Sequence, residues 1–79
     1  MHEVVLYHAP GCHLCEVARA SLLALQREVP FALQEIDIHT DPELERRWLY
    51  EYPVITVNGT VVTLGQISIG QVRSALTRP

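Results

Sequence analysis

The sequence contains no lysine. Its six basic residues are all arginines, set against nine carboxylates for a formal charge of −3. Nucleic-acid binding leans on a basic face that meets phosphates, so this balance argues against that class of partner. No apolar stretch is long enough to span a bilayer. No basic segment followed by a cleavable apolar run comes after Met1-His2-Glu3, so a cytoplasmic location away from membranes is expected. Only two cysteines occur. In a reducing compartment structural disulfides are rare, and a thiol pair is more often catalytic or metal-binding. Low-complexity runs, internal repeats and linkers are also missing. The 79 residues, 48% hydrophobic and 19% charged, are expected to form a single monomeric domain with a limited core.

The chain that remains is regular. Glu3 to Tyr7 is an apolar run of β-formers, suited to a strand buried on both faces. His8-Ala9-Pro10-Gly11 has loop chemistry. From Cys12 to about Glu28 the residues favour helix. Leu14, Val17, Ala18, Leu22, Leu25 and Val29 recur at helical spacing, and Leu23 with Ala24 widens the apolar stripe. Pro30 ends that segment, and Phe31 to Ile38 reads as a second strand. A short helix over about Pro42 to Tyr50 is announced by Asp41-Pro42, or alternatively by a Thr40/Glu43 capping box. Val54–Val57 and Thr60–Leu64 form a hairpin around Asn58-Gly59, which favours a type I′ turn. Ser68 and Gln71 box the start of a last helix, about Ile69 to Thr77. The order β-α-β-α-β-β-α implies an α/β fold. Its first two strands are parallel, the hairpin is antiparallel, and helices flank a four-stranded mixed sheet.

Chemistry concentrates in Cys12-His13-Leu14-Cys15. Cys12 falls where strand gives way to helix, so its sulfur faces unpaired backbone N–H groups and the positive end of the helix dipole. Thiols in such places ionise at roughly pH 3.5–7.5 rather than about 8.5. Cys15 lies on the same side of the first turn, within the usual disulfide range. This division makes Cys12 the attacking nucleophile and Cys15 the shielded resolving thiol. A protonated His13 would stabilise the Cys12 thiolate, and His8 could add to the same field. The structural alternatives are an exposed first-turn residue and a strand-end histidine. Glu35 or Asp37 could relay a proton to Cys15 if buried nearby, although Asp37 reads more simply as a surface or capping acid. Trp48 is expected to pack the short helix on the sheet, and Arg46 and Arg47 to form a solvated face.

Two other classes compete. In the first, the cysteines bind zinc or, in a dimer, an iron–sulfur cluster. A closed zinc site needs four ligands, and no second pair follows at typical spacing. In the second, the chain is a redox-inactive docking module whose cysteines are small core residues.

The strand, the Cys12–Cys15 motif opening a helix, and Tyr52-Pro53-Val54 before a hairpin resemble a glutaredoxin of the thioredoxin superfamily. The resemblance covers nearly the whole chain. It is closest to the short prokaryotic glutaredoxin-like proteins, through "EIDIHTDPEL" and "YPVITVNG". It implies a thioredoxin-like fold, thiol–disulfide exchange with protein or low-molecular-weight disulfides, and no bound cofactor. It also implies a cis Tyr52-Pro53 peptide facing the cysteines, with the Tyr52 backbone pairing a substrate strand and a backbone contact at Gly65. Thr63-Leu64-Gly65-Gln66-Ile67-Ser68 departs from the family pattern, having one glycine and no acid to grip the glutathione amino group. Glutathione is thus a doubtful reductant, and a thioredoxin reductase is an equal candidate.

Overall fold

The computed structural model describes residues 1–78. Four strands and three helices follow in order: β1 (Glu3–His8), α1 (His13–Glu28), β2 (Ala32–Asp37), α2 (Pro42–Trp48), β3 (Val54–Val57), β4 (Thr60–Leu64) and α3 (Ile69–Thr77), with a 3₁₀ turn at Ile38–Thr40. The strands lie side by side as β2-β1-β3-β4. β1 runs parallel to β2 and antiparallel to β3, and β3 and β4 form the hairpin. The α/β fold and mixed sheet read from the sequence are both present.

Local chemistry accounts for most of the boundaries. Asn58 and Gly59 both have positive φ, +51° and +85°, as a type I′ turn requires. Asn58 also ties the hairpin to the first strand: its Oδ1 accepts the Glu3 N–H at 2.9 Å. Asp41, not Thr40, caps α2, accepting the Glu43 N–H at 2.9 Å, while the Thr40 hydroxyl donates to the Asp37 carbonyl. Ser68 accepts from the Gln71 N–H and starts α3.

Two segments are shorter than expected. β2 stops at Asp37 because that carboxylate accepts the His39 N–H and turns the chain into the 3₁₀ segment. α2 stops at Trp48, whose carbonyl accepts the N–H groups of both Glu51 and Tyr52.

The main core lies between one face of the sheet and the pair α1 and α3. Val4, Leu6, Ile55 and Val57 face Ala18, Leu22, Leu25, Val72 and Leu76. Each fully buried aliphatic side chain in such a layer contributes about 1.5–3 kcal/mol. The buried stripe of α1 is Cys15, Ala18, Leu22 and Leu25. Leu14, Val17, Leu23 and Ala24, expected within it, lie instead on exposed flanks of the helix. Helical periodicity shows that a stripe exists; the sheet and α3 decide which edge of it they cover. The expectation that β1 is buried on both faces is likewise half met. Val4 and Leu6 are buried, but Val5 and Tyr7 are only half-buried. The seven-residue α2 is too short to cover that face, and it contributes Trp48, whose ring centroid lies 6.0 Å from that of Tyr7. The Arg47 guanidinium sits over Trp48 at 5.1 Å, so this arginine does more than solvate a helix face.

Candidate active site

β1 delivers the chain to the top of the sheet, and Ala9–Gly11 turn it into α1. Gly11, at φ +71°, takes the left-handed conformation that lets the turn close. Cys12, the expected first residue of the helix, instead occupies the N-cap position, and the helix begins one residue later at His13. Its sulfur accepts the Cys15 N–H at 3.0 Å, filling the role usually taken by a serine or aspartate oxygen. Cys12 and Cys15 are joined as a disulfide, with Cα atoms 5.2 Å apart. Cys12 is half-buried and Cys15 only 5% exposed. His13 is exposed at the first helical position. His8, at the end of β1, lines the same pocket as both cysteines.

This arrangement favours an anionic sulfur at Cys12. When the bond opens, the sulfur left there keeps an N–H donor at hydrogen-bond distance and sits at the positive end of a 16-residue helix. Both interactions are stronger with a thiolate than with a thiol.

Tyr52, Pro53 and Gly65 form a second group. The Tyr52-Pro53 bond is cis, as the family resemblance implies. The Gly65 N–H donates to the carbonyls of Pro53 at 2.8 Å and Glu51 at 2.9 Å, fixing the loop. Val54 pairs with Tyr7, so Pro53 lies at the end of β1 from which the Cys12 loop departs. The two groups, 40 residues apart in sequence, therefore share one end of the sheet.

Behind the dithiol lies a pocket of about 320 Å³, lined by His8, Pro10, Cys12, Cys15, Arg19 and Glu35 among others. Arg19 Nε donates to Glu35 Oε1 at 2.7 Å. Glu35 reaches this pocket because it pairs with Leu6 on the core side of the sheet. Asp37 instead caps the 3₁₀ turn. Arg19 was not legible as a site residue, although its i+4 relation to Cys15 places the two on one helix face. Among the described residues, no cluster of three or more His, Cys, Asp or Glu side chains is placed to hold a metal ion. No helix among them is long and apolar enough to cross a membrane.

A mixed sheet of this order, with a Cys-x-x-Cys disulfide at the start of its first helix, defines a protein of thioredoxin-like fold and supports a thiol-redox function. The chain overlays on the oxidized form of mitochondrial thioredoxin 3 from Saccharomyces cerevisiae with a TM-score of 0.69 and 17% identity, over 95% of this chain and 76% of that one. Residues 3–77 match the glutaredoxin-like domain (DUF836), and the chain belongs to that family. The solution structure of protein Ne2328 from Nitrosomonas europaea is similar at 28% identity and a TM-score of 0.86, covering 96% of this chain and 92% of that one. A protein of unknown function from Staphylococcus aureus, SA0789, is similar at 25% identity and a TM-score of 0.72, covering 94% and 86%. No curated protein matches the chain.

Proposed function

We propose that the protein is a dithiol–disulfide oxidoreductase that reduces, or exchanges with, protein disulfides or mixed disulfides. The observation that carries this reading is the sulfur of Cys12 at the N-cap of α1, hydrogen-bonded to the Cys15 N–H and bonded to the Cys15 sulfur within one turn. In the reduced protein the Cys12 thiolate attacks a substrate disulfide. One substrate sulfur leaves as a thiolate and takes a proton from solvent, and the other stays bonded to Cys12. Cys15 then attacks the Cys12 sulfur, closes the ring and releases the second substrate sulfur. Two electrons pass from the dithiol to the substrate.

The loop of Tyr52, Pro53 and Gly65 orients the substrate backbone. Pro53 offers no N–H beside the sulfurs; the Tyr52 N–H is taken by the Trp48 carbonyl, so it is the Tyr52 carbonyl that pairs with an extended strand. His13, exposed between the cysteines, modulates the charge at Cys12. The segment from Thr63 to Ser68 has no acid to hold the glutathione amino group, which favours a reductase or a different thiol as electron donor. The working compartment in this reading is the reducing cytoplasm, and the working form a monomer.

Reduction of insulin disulfides by the wild type and two variants tests the reading. Cys12→Ser is expected to abolish turnover. Cys15→Ser is expected to accumulate a mixed disulfide with the substrate, visible as a mass increase. Full activity in Cys12→Ser would overturn the assignment, as would a mixed disulfide on Cys15 with Cys12 left free.

A further inference from the structure

The fold leaves two open sheet edges, β2 and β4, and a cleft of about 710 Å³ runs beside β4. The geometry points to β4 as a binding site for the C-terminal segment of another polypeptide. That segment adds to the sheet as an antiparallel strand and sets its terminal carboxylate at Arg78. The cleft shares no lining residue with the pocket beside Cys12 and Cys15, and the inference does not depend on the dithiol reading.

The two edges differ chemically. A bare edge recruits stray strands, so proteins usually guard it with charge or proline. β2 carries Glu35 and Asp37. β4, from Thr60 to Leu64, has neither charge nor proline, and its Val61 and Leu64 are 39% and 44% exposed. Its backbone is available as well. The Gly65 N–H donates to the Pro53 carbonyl at 2.8 Å, so by the alternation of an antiparallel pair Leu64 turns its own N–H and C=O away from β3. Val57 and Thr60 close the two-residue turn as a bonded pair, so Val61, the next residue, also turns outward.

Across the cleft stands α3. Its N-cap Ser68 donates its N–H to the Thr63 hydroxyl at 3.4 Å, so α3 begins at the Leu64 end of β4 and finishes towards the Thr60 end. Thr60, Val61 and Val62 line one side of the cleft; Gln71, Ser74 and Arg78 line the other. Val62 and Ala75, packed against the main core, give it an apolar floor. A strand laid here pairs its backbone with β4 and rests alternate side chains on that floor, the mode of strand addition. Among the described residues Arg78 is the one charged side chain lining the cleft. A strand antiparallel to β4 finishes at that end. Its terminal carboxylate, in line with the backbone, meets the guanidinium in a charge-assisted pair.

A bulge selects this occupant over a second copy of the chain. The register passes from Ile55–Thr63 to Thr56–Val61, so Val62 is an extra residue that bends the strand. Such a bend hinders pairing of two like edges, each of which would carry it. A flexible peptide needs to follow only one bend.

The probe is a five-residue peptide of alternating threonine and valine with a free C-terminal carboxylate, titrated into the isotope-labelled protein. Amide signals of Val61, Leu64, Gln71 and Ser74 are expected to shift. Hydrogen exchange at Val61 and Leu64 is expected to slow, with β2 unchanged. Amidating the peptide's C-terminus is expected to weaken binding about five- to tenfold, and Arg78→Ala to do the same, with no further loss when the two changes are combined. The same peptide N-methylated at alternate residues is expected not to bind. Absence of binding at millimolar peptide would overturn the proposal. So would shifts confined to β2 or to the Cys12 loop, equal affinity for the N-methylated peptide, or equal affinity for the amidated one. Protection of Val61 and Leu64 that rises with protein concentration in the absence of peptide would put a second copy at this edge and overturn it too.

Discussion

Gly65 has φ +64°, and a Cβ built there meets no atom within 4 Å. Alanine at this position would therefore suffer backbone strain without a steric clash. The left-handed conformation costs a residue with a Cβ about 1–2 kcal/mol. Alanine also restricts the unfolded chain, which returns about 0.4–1 kcal/mol to the folded state. The expected net loss for Gly65→Ala is about 1 kcal/mol. For a domain of this size that lowers Tm by about 4–8 °C. In urea, with slopes of about 1–3 kcal/mol/M, it moves the midpoint by about 0.3–1 M with no change in slope. Asparagine tolerates this conformation better, so Gly65→Asn is expected to lose less. The Gly65 N–H holds the carbonyls of Glu51 and Pro53, so relaxing the strain loosens the loop beside the dithiol and slows disulfide exchange. Gly59→Ala is the matched control: φ is +85° and the space is equally open, but the residue sits at the hairpin turn, at the other end of β3 from Pro53. It is expected to lose similar stability and exchange at the wild-type rate. A loss above about 3 kcal/mol at Gly65 would refute the open-space reasoning. Equal slowing of exchange by both variants would refute the loop-anchoring role.

Two further outcomes follow from the packing. Leu22 is 0% exposed at the centre of the α1 stripe, so Leu22→Ala is expected to cost about 2–5 kcal/mol in a urea melt, with the folded baseline retaining its secondary structure. Ser68→Ala removes the acceptor for the Gln71 N–H at the start of α3 and is expected to cost about 1 kcal/mol, a loss that Ser68→Asp restores. A Ser68→Ala protein as stable as the wild type would show that the first turn of α3 does not depend on this cap.

The legible parts of the site were those whose partners are close in the chain. Cys12 and Cys15 share one turn, and both the thiolate-favouring position and the disulfide reach follow from a spacing of three residues. The Tyr52-Pro53 geometry came only through family resemblance, because an isolated X–Pro sequence does not determine its isomer. Glu35 was legible only as one of two acids that could lie near Cys15 if buried, because the alternation of its strand is imperfect around Gln34-Glu35; the structure places it in the pocket with Cys15 but leaves it exposed. The face it takes depends on its register with Leu6.

The sequence by itself determined the order of elements, the Asn58-Gly59 turn, the cap of α3, and a thiol pair at a helix start; for α2 it offered two caps, between which the structure chose Asp41. Each depends on atoms a few residues apart, so backbone preference and side-chain reach decide it. The tertiary structure alone decided which flank of α1 is covered, that Pro53 shares an end of the sheet with Cys12, and that Arg19 meets Glu35. Those outcomes depend on strand register and helix placement across 16 residues in the case of Arg19 and Glu35, and 45 for the Arg73–Glu28 pair between α3 and α1. At such separations local propensity carries no information, and close packing of the whole core selects the arrangement.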